Sequence, residues 1–165
     1  MRYQALQSML DGGAEPGLRN HFRTGFLSHL GPETIKVLTD FGARLPSPMS
    51  QIHLHHMGGA VSRVGRDATA FSNRGAAFTY NLVSAWTEPS EDGLHIGANK
   101  ALADALVPLS AAGAYVNFIA NGEGDQIRAA YGAQTYHRLA QLKRRYDPQN
   151  LFCHNHSVVP EPVAS

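Results

Sequence analysis

Along the chain the spacing of apolar and polar positions passes from helical to strand-like and back to helical. Residues 4–10 are a short polar stretch that reads as a helix, broken by Asp11-Gly12-Gly13. Residues 20–29, carrying Phe22, Gly25 and Phe26, keep no clean period and read as a strand or extended segment. Gly31-Pro32-Glu33 marks a helix start, with proline at the first helical position and an acid in the first turn. Ile35, Leu38 and Phe41 follow at near-helical spacing, and Gly42 is a stop. Gln51-Ile52-His53-Leu54-His55 alternates apolar with polar, and residues 77–86 are rich in β-branched and aromatic side chains, so both read as strands. Pro46-Ser47-Pro48 and residues 87–93 punctuate these blocks.

A helix is predicted over 97–109, with Ala101, Leu102, Ala105, Leu106 and Leu109 on one stripe. A strand is predicted over 114–119, followed by helices over 125–131 and 135–146. Pro148 closes the last helix, and the tail after Val159 reads as irregular. Strands that build a sheet, with helices laid on it, predict an α+β fold: an antiparallel β-sheet with helices packed on one face.

At 165 residues, with 43% hydrophobic and 16% charged positions, the chain has the makings of one globular domain. Residues 1–50 form its N-terminal part, 51–159 its core and 160–165 its tail. A net charge of +1 offers no field for nucleic acid, and Lys143-Arg144-Arg145 reads as a solvated helix end. No apolar run reaches the roughly 20 residues of a membrane span. The single Cys153 can form no internal disulfide. These features predict a cytoplasmic protein working on a small-molecule substrate.

Alternation puts His53 and His55 on one strand face, opposite Ile52 and Leu54. If the apolar face packs on helices, the histidines face a cavity and are candidate substrate contacts, with Tyr80 a candidate beside them. A metal is the competing reading for this pair, with His56, His154 and His156 as further donors. Further ligands of fixed position are lacking, so no metal is expected. Tyr115 and Asn117 share a face of the predicted strand; read alone, a tyrosine there is packed core with a satisfied hydroxyl.

Several stretches in order carry a resemblance: Gly58-Gly59-Ala60; Asp67-Ala68-Thr69-Ala70-Phe71 with Arg74; Trp86; Tyr115-Val116-Asn117-Phe118; Tyr131-Gly132; Arg138-Leu139 leading to Lys143; and Tyr146-Asp147-Pro148 with Asn150-Leu151-Phe152 and Asn155. Together they resemble the C-terminal half of FAD-linked oxidases of the berberine bridge enzyme family. The resemblance implies a substrate domain whose sheet roofs the flavin ring, while a separate N-terminal domain holds FAD. It assigns Tyr115 as a base or proton relay and places Asn117 and Asn155 toward the cofactor. A phenol with an ordinary pKa near 10 needs help from its surroundings for such work.

Nothing in the chain matches that N-terminal domain's glycine-rich loops or its covalent His or Cys, so FAD is expected to be held poorly without a separate FAD-binding domain or subunit. Ser72-Asn73 stands where the family has Pro-His, Arg63 where some plant relatives have an acidic base, and Asn155-His156-Ser157 where many have Asn-Gln-Asn. The leading expectation is a substrate-binding domain of an FAD-linked oxidoreductase acting on a small secondary metabolite. The alternative is a stand-alone, cofactor-free binding protein or acid–base enzyme. A homodimer through the exposed sheet face is expected where the flavin domain is missing.

Overall fold

The β-branched and aromatic run before Trp86 becomes the middle strand of a three-stranded antiparallel sheet in the computed structural model, which describes residues 2–13, 16–119 and 124–161. Strand β1 (Arg19–Leu27) and strand β2 (Gln51–His56) flank β3 (Phe78–Trp86) in the order β1-β3-β2. The helices are α1 (Tyr3–Gln7), α2 (Pro32–Gly42), α3 (Ala60–Arg63), α4 (Asp92–Leu106), α5 (Gly124–Tyr131) and α6 (Ala133–Tyr146). None is long and apolar enough to cross a membrane. The tail expected to be irregular lies outside the described residues from position 162.

Register decides which side chains face which way. Ile52 opposes Leu82 and Leu54 opposes Tyr80, whereas His53 opposes Asn81 and His55 opposes Thr79. Opposed residues share a face, so the first four lie on one side of the sheet and the second four on the other. The first side packs on helices. Leu27, Tyr80 and Leu82 meet Leu102, Ala103 and Leu106 of α4, with Val37, Leu38 and Phe41 of α2 against them. The α+β expectation holds, with an antiparallel sheet backed by helices.

Two polar devices lock α4 in place. The amide of buried Asn99 donates to the Leu82 carbonyl at 3.1 Å and to Ser84 Oγ at 3.0 Å, tying the helix to the middle strand. At the helix start, Asp92 accepts a two-pronged contact from Arg19 at 2.6 and 2.5 Å and a bond from the Trp86 indole at 2.9 Å. Arg19 opens β1, Trp86 ends β3, and His95 stacks on Trp86 at 4.8 Å. One carboxylate therefore gathers three elements.

That junction corrects the sequence reading. The helix predicted from position 97 starts at Asp92, inside a stretch read as punctuation, and gives way to a 3-10 turn at Val107–Leu109. Gly93 and Gly97 look like breakers, yet a glycine within a helix costs only about 1 kcal/mol, less than the contacts this helix makes. The strand predicted over 114–119 is also absent. Val116–Phe118 is a 3-10 turn, in which Phe118 folds back on Tyr115 and leans on His55 while its backbone stays outside the three-stranded sheet.

Candidate functional site

The site grows from that turn. Gly113, at φ +105°, swings the chain over the face of the sheet opposite α4, just after Ala111 makes an isolated bridge to Phe26. In a 3-10 turn, positions three apart eclipse, which brings Phe118 against Tyr115. Their rings meet edge-on at 5.0 Å and 88°. Phe71 meets Tyr115 from another side at 5.8 Å and packs on Phe26 at 6.1 Å, while Phe118 leans on His55 at 5.8 Å. An aromatic seam thus runs from β1 through Phe71, Tyr115 and Phe118 to His55 on β2.

A hollow of about 370 Å³ opens along this seam, walled by His55, Phe71, Arg74, Thr79, Tyr115 and Phe118 among others. A neighbouring hollow of about 290 Å³ shares Phe71 and Tyr115 as walls and adds Ser72 and Tyr131. Asn117 Nδ2 donates to the Tyr115 hydroxyl oxygen at 2.9 Å. The amide hydrogen is therefore aimed at the oxygen on which negative charge would develop if the phenol gave up its proton. Arg74 donates to the Val61 carbonyl at 2.9 Å and to Thr69 Oγ1 at 2.7 Å, and its guanidinium lies 5.4 Å from the Phe71 ring centre.

The other candidates divide. His53 lies beside His55, ring centres 5.9 Å apart, and its Nε2 bonds Gln51 Oε1 at 2.6 Å. Partial burial, and secondarily the neighbouring His55, holds its pKa below the ordinary 6.5, so the ring is largely neutral at pH 7. Tyr80 requires a correction. It is 4% exposed within the core on the helix face, its hydroxyl 3.3 Å from Ser110 Oγ, because the strand period that puts Thr79 beside His55 turns position 80 the other way. Its burial pushes the phenol pKa up.

Asn155 is exposed in a turn at φ +59° and does not line either hollow, although its neighbour His156 reaches the Ile119 carbonyl with Nε2 at 2.8 Å. The same-face argument for Asn117 also fails with the missing strand, yet its amide still meets Tyr115. Gly58 serves neighbour packing, since an added Cβ would lie 2.4 Å from the His56 ring. No group of three or more His, Cys, Asp or Glu able to hold a metal occurs among the described residues. Phe71, Arg74 and Phe118 are walls that the reading of chemistry along the chain did not single out as site residues. Only their place in the matching stretches marked them.

Comparison with known proteins bears on this geometry directly. Residues 114–159, which begin at the turn carrying Tyr115, match the family model described as "Berberine and berberine like". The chain is 30% identical over 163 residues to an FAD-linked oxidoreductase of Dictyostelium discoideum, covering 96% of the chain and 34% of that protein. It is 28% identical over 149 residues to an FAD-linked oxidoreductase of Bacillus subtilis, covering 90% of the chain and 33% of the relative. The chain carries the C-terminal region of the berberine bridge enzyme-like family at residues 114–159. It spans about a third of the length of these family relatives. Its fold is similar to that of part of berberine bridge enzyme from Eschscholzia californica, with a TM-score of 0.75 at 21% identity over 90% of the chain and 34% of the enzyme. A berberine bridge enzyme-like protein of Arabidopsis thaliana gives 0.75 at 22% identity, over 90% and 35%.

The family implies FAD. The hollow at Tyr115 fits a flat ring and does not fit the whole cofactor. Its walls hold one guanidinium, and the helix start that reaches them, at Val61 of the four-residue α3, is too short to receive a diphosphate. The first turns of α2 and α4 carry Glu33 and Asp92, which oppose phosphate.

Proposed function

We propose that this chain is the substrate-binding part of an FAD-linked oxidoreductase, with Tyr115 as the base acting on substrate. The observation that carries the reading is the Tyr115–Asn117 pair on the wall of an aromatic hollow. Aromatic walls with few polar groups suit a small, flat, largely apolar molecule, the character of many secondary metabolites. Tyr115 takes the proton from a hydroxyl or amine of that molecule, Asn117 steadies the charge left on the phenol oxygen, and His55 fixes one edge of the ligand. A separate FAD-binding domain or subunit supplies the redox chemistry and covers the histidine-bearing face of the sheet. A homodimer covers the same face when that domain is missing.

The test is to mix the purified chain with FAD and with a flavin-binding domain of this family supplied as a separate polypeptide. We expect the chain alone to be colourless and flavin absorbance to co-purify with the pair. In the active pair, Tyr115→Phe lowers kcat about 10²- to 10⁴-fold with the complex intact, the range for losing a positioned acid–base group. An unchanged kcat removes Tyr115 from the chemistry.

A further inference from the structure

On another side of Arg74 from the aromatic seam lies a larger hollow of about 610 Å³, and its chemistry is different. Its walls include Arg63 from the end of α3, Arg66 from the following 3-10 turn, Arg74, Asn73, Ser62 and Ser72. No aspartate or glutamate lines it, in a chain whose 14 lysines and arginines are nearly balanced by 13 acids. The serine hydroxyls are already directed inward, to the Gly59 and Tyr131 carbonyls. The charged donors facing the hollow are the three guanidinium groups, with Ser28 and Asn73 as neutral polar walls. Among the described residues neither Arg63 nor Arg66 has a hydrogen bond or an ion pair. Arg74 spends two of its nitrogens on Val61 and Thr69, and its Nε is buried without an acceptor.

Exposed arginines are commonly solvated and mean little singly. Three lining one concavity without a carboxylate, one of them with an orphaned buried N–H, form a different arrangement, since a buried donor without an acceptor costs free energy that a bound anion returns. We infer that this hollow is a binding site for a phosphate-bearing small molecule. Phosphate suits it because several oxygens can accept at once from planar guanidinium forks. A volume of about 610 Å³ leaves room for an organic portion beyond the phosphate. The phosphate could belong to a phosphorylated metabolite or to the FAD diphosphate; the hollow shares Arg74 with the ring-sized one but not Tyr115, so the inference stands apart from the proposed base.

The test titrates the full chain with inorganic pyrophosphate, read by calorimetry and by the NMR signals of the arginine Nε–H groups. We expect saturable binding with a shift at Arg74, weakened about tenfold or more in Arg63→Ala/Arg66→Ala, the scale of one lost charge-assisted hydrogen bond. Both side chains are exposed, so the double variant is expected to keep the thermal unfolding of the parent. Displacement of pyrophosphate by FAD assigns the site to the cofactor's diphosphate, and failure of FAD to displace it assigns the site to a phosphorylated metabolite. Absence of saturation, or equal affinity of the parent and the folded double variant, overturns the site.

Discussion

At the scale of single residues, the two faces of β2 carry separate tasks, and the histidines report it. His53 titrates below its ordinary value because it is partly buried and because His55 adds like charge when protonated. The sign follows from linkage. The unfolded chain takes up this proton first as the pH falls, so the contribution of neutral His53 is complete above about pH 6.5 and is lost as the pH drops through the lowered folded value. NMR titration is expected to place His53 below 6.5, and His55→Ala to move it upward; a His53 that titrates at or above 6.5 contradicts the assigned environment. On the helix face, Tyr80 lies so close over β1 that a Cβ at Gly25 would stand 2.3 Å from its hydroxyl. Gly25→Ala is therefore expected to cost about 1–3 kcal/mol, the usual range for overpacking, measured by chemical denaturation. A neutral result would mean that Tyr80 swings aside freely.

Among the elements, those whose side chains meet a sheet or a helix stripe were legible. Alternation in β2 and the spacing of Leu38 and Phe41 in α2 follow directly from which face is buried, whereas Ile35 of the same spacing is 49% exposed. The turn at Tyr115 was not legible as a turn, since a run of apolar and aromatic residues reads the same whether it packs on a sheet or on itself. The start of α4 was hidden by Gly93 and by the tertiary role of Asp92. The site was half visible: His55 and Tyr115 were named from spacing and resemblance, whereas Phe71 and Arg74 wall the same hollow from distant positions and Phe118 reaches it only because the segment turns.

The end of α6 shows an element fixed by one carboxylate. Asp147 accepts from the Leu151 and Phe152 amides at 2.7 and 3.1 Å, and Lys143 stands 2.5 Å from it while also reaching the Phe152 carbonyl at 2.6 Å. Lys143 first, and then those amides, hold the Asp147 pKa below 3.8. The unfolded chain binds this proton at higher pH than the folded one. The stabilisation is therefore complete above about pH 4 and disappears as the pH falls through the lowered value. Asp147→Asn is expected to lower Tm near neutral pH, with the gap to the parent closing below pH 3.8. A gap that persists undiminished in acid would assign the loss to packing.

For the whole molecule, the same motif points outward. Its polar members have uses inside the chain: Asp147 closes the turn, and Asn150 takes the φ of +54° that the turn requires and asparagine tolerates. Its large apolar members are left largely in solvent, with Tyr146 74%, Leu151 71% and Phe152 80% exposed. Under the proposed function, these exposed apolar side chains are where the flavin-binding domain docks. Burying Leu151 and Phe152 would contribute roughly 1.5–3 kcal/mol each. Leu151→Ser/Phe152→Ser is therefore expected to leave the Tm of the isolated chain unchanged. The double variant should bind the flavin-binding polypeptide at least about 100-fold more weakly, measured by calorimetry. A variant that unfolds at lower temperature in isolation would place these side chains in the chain's own packing, and undiminished association would move the interface elsewhere on the molecule.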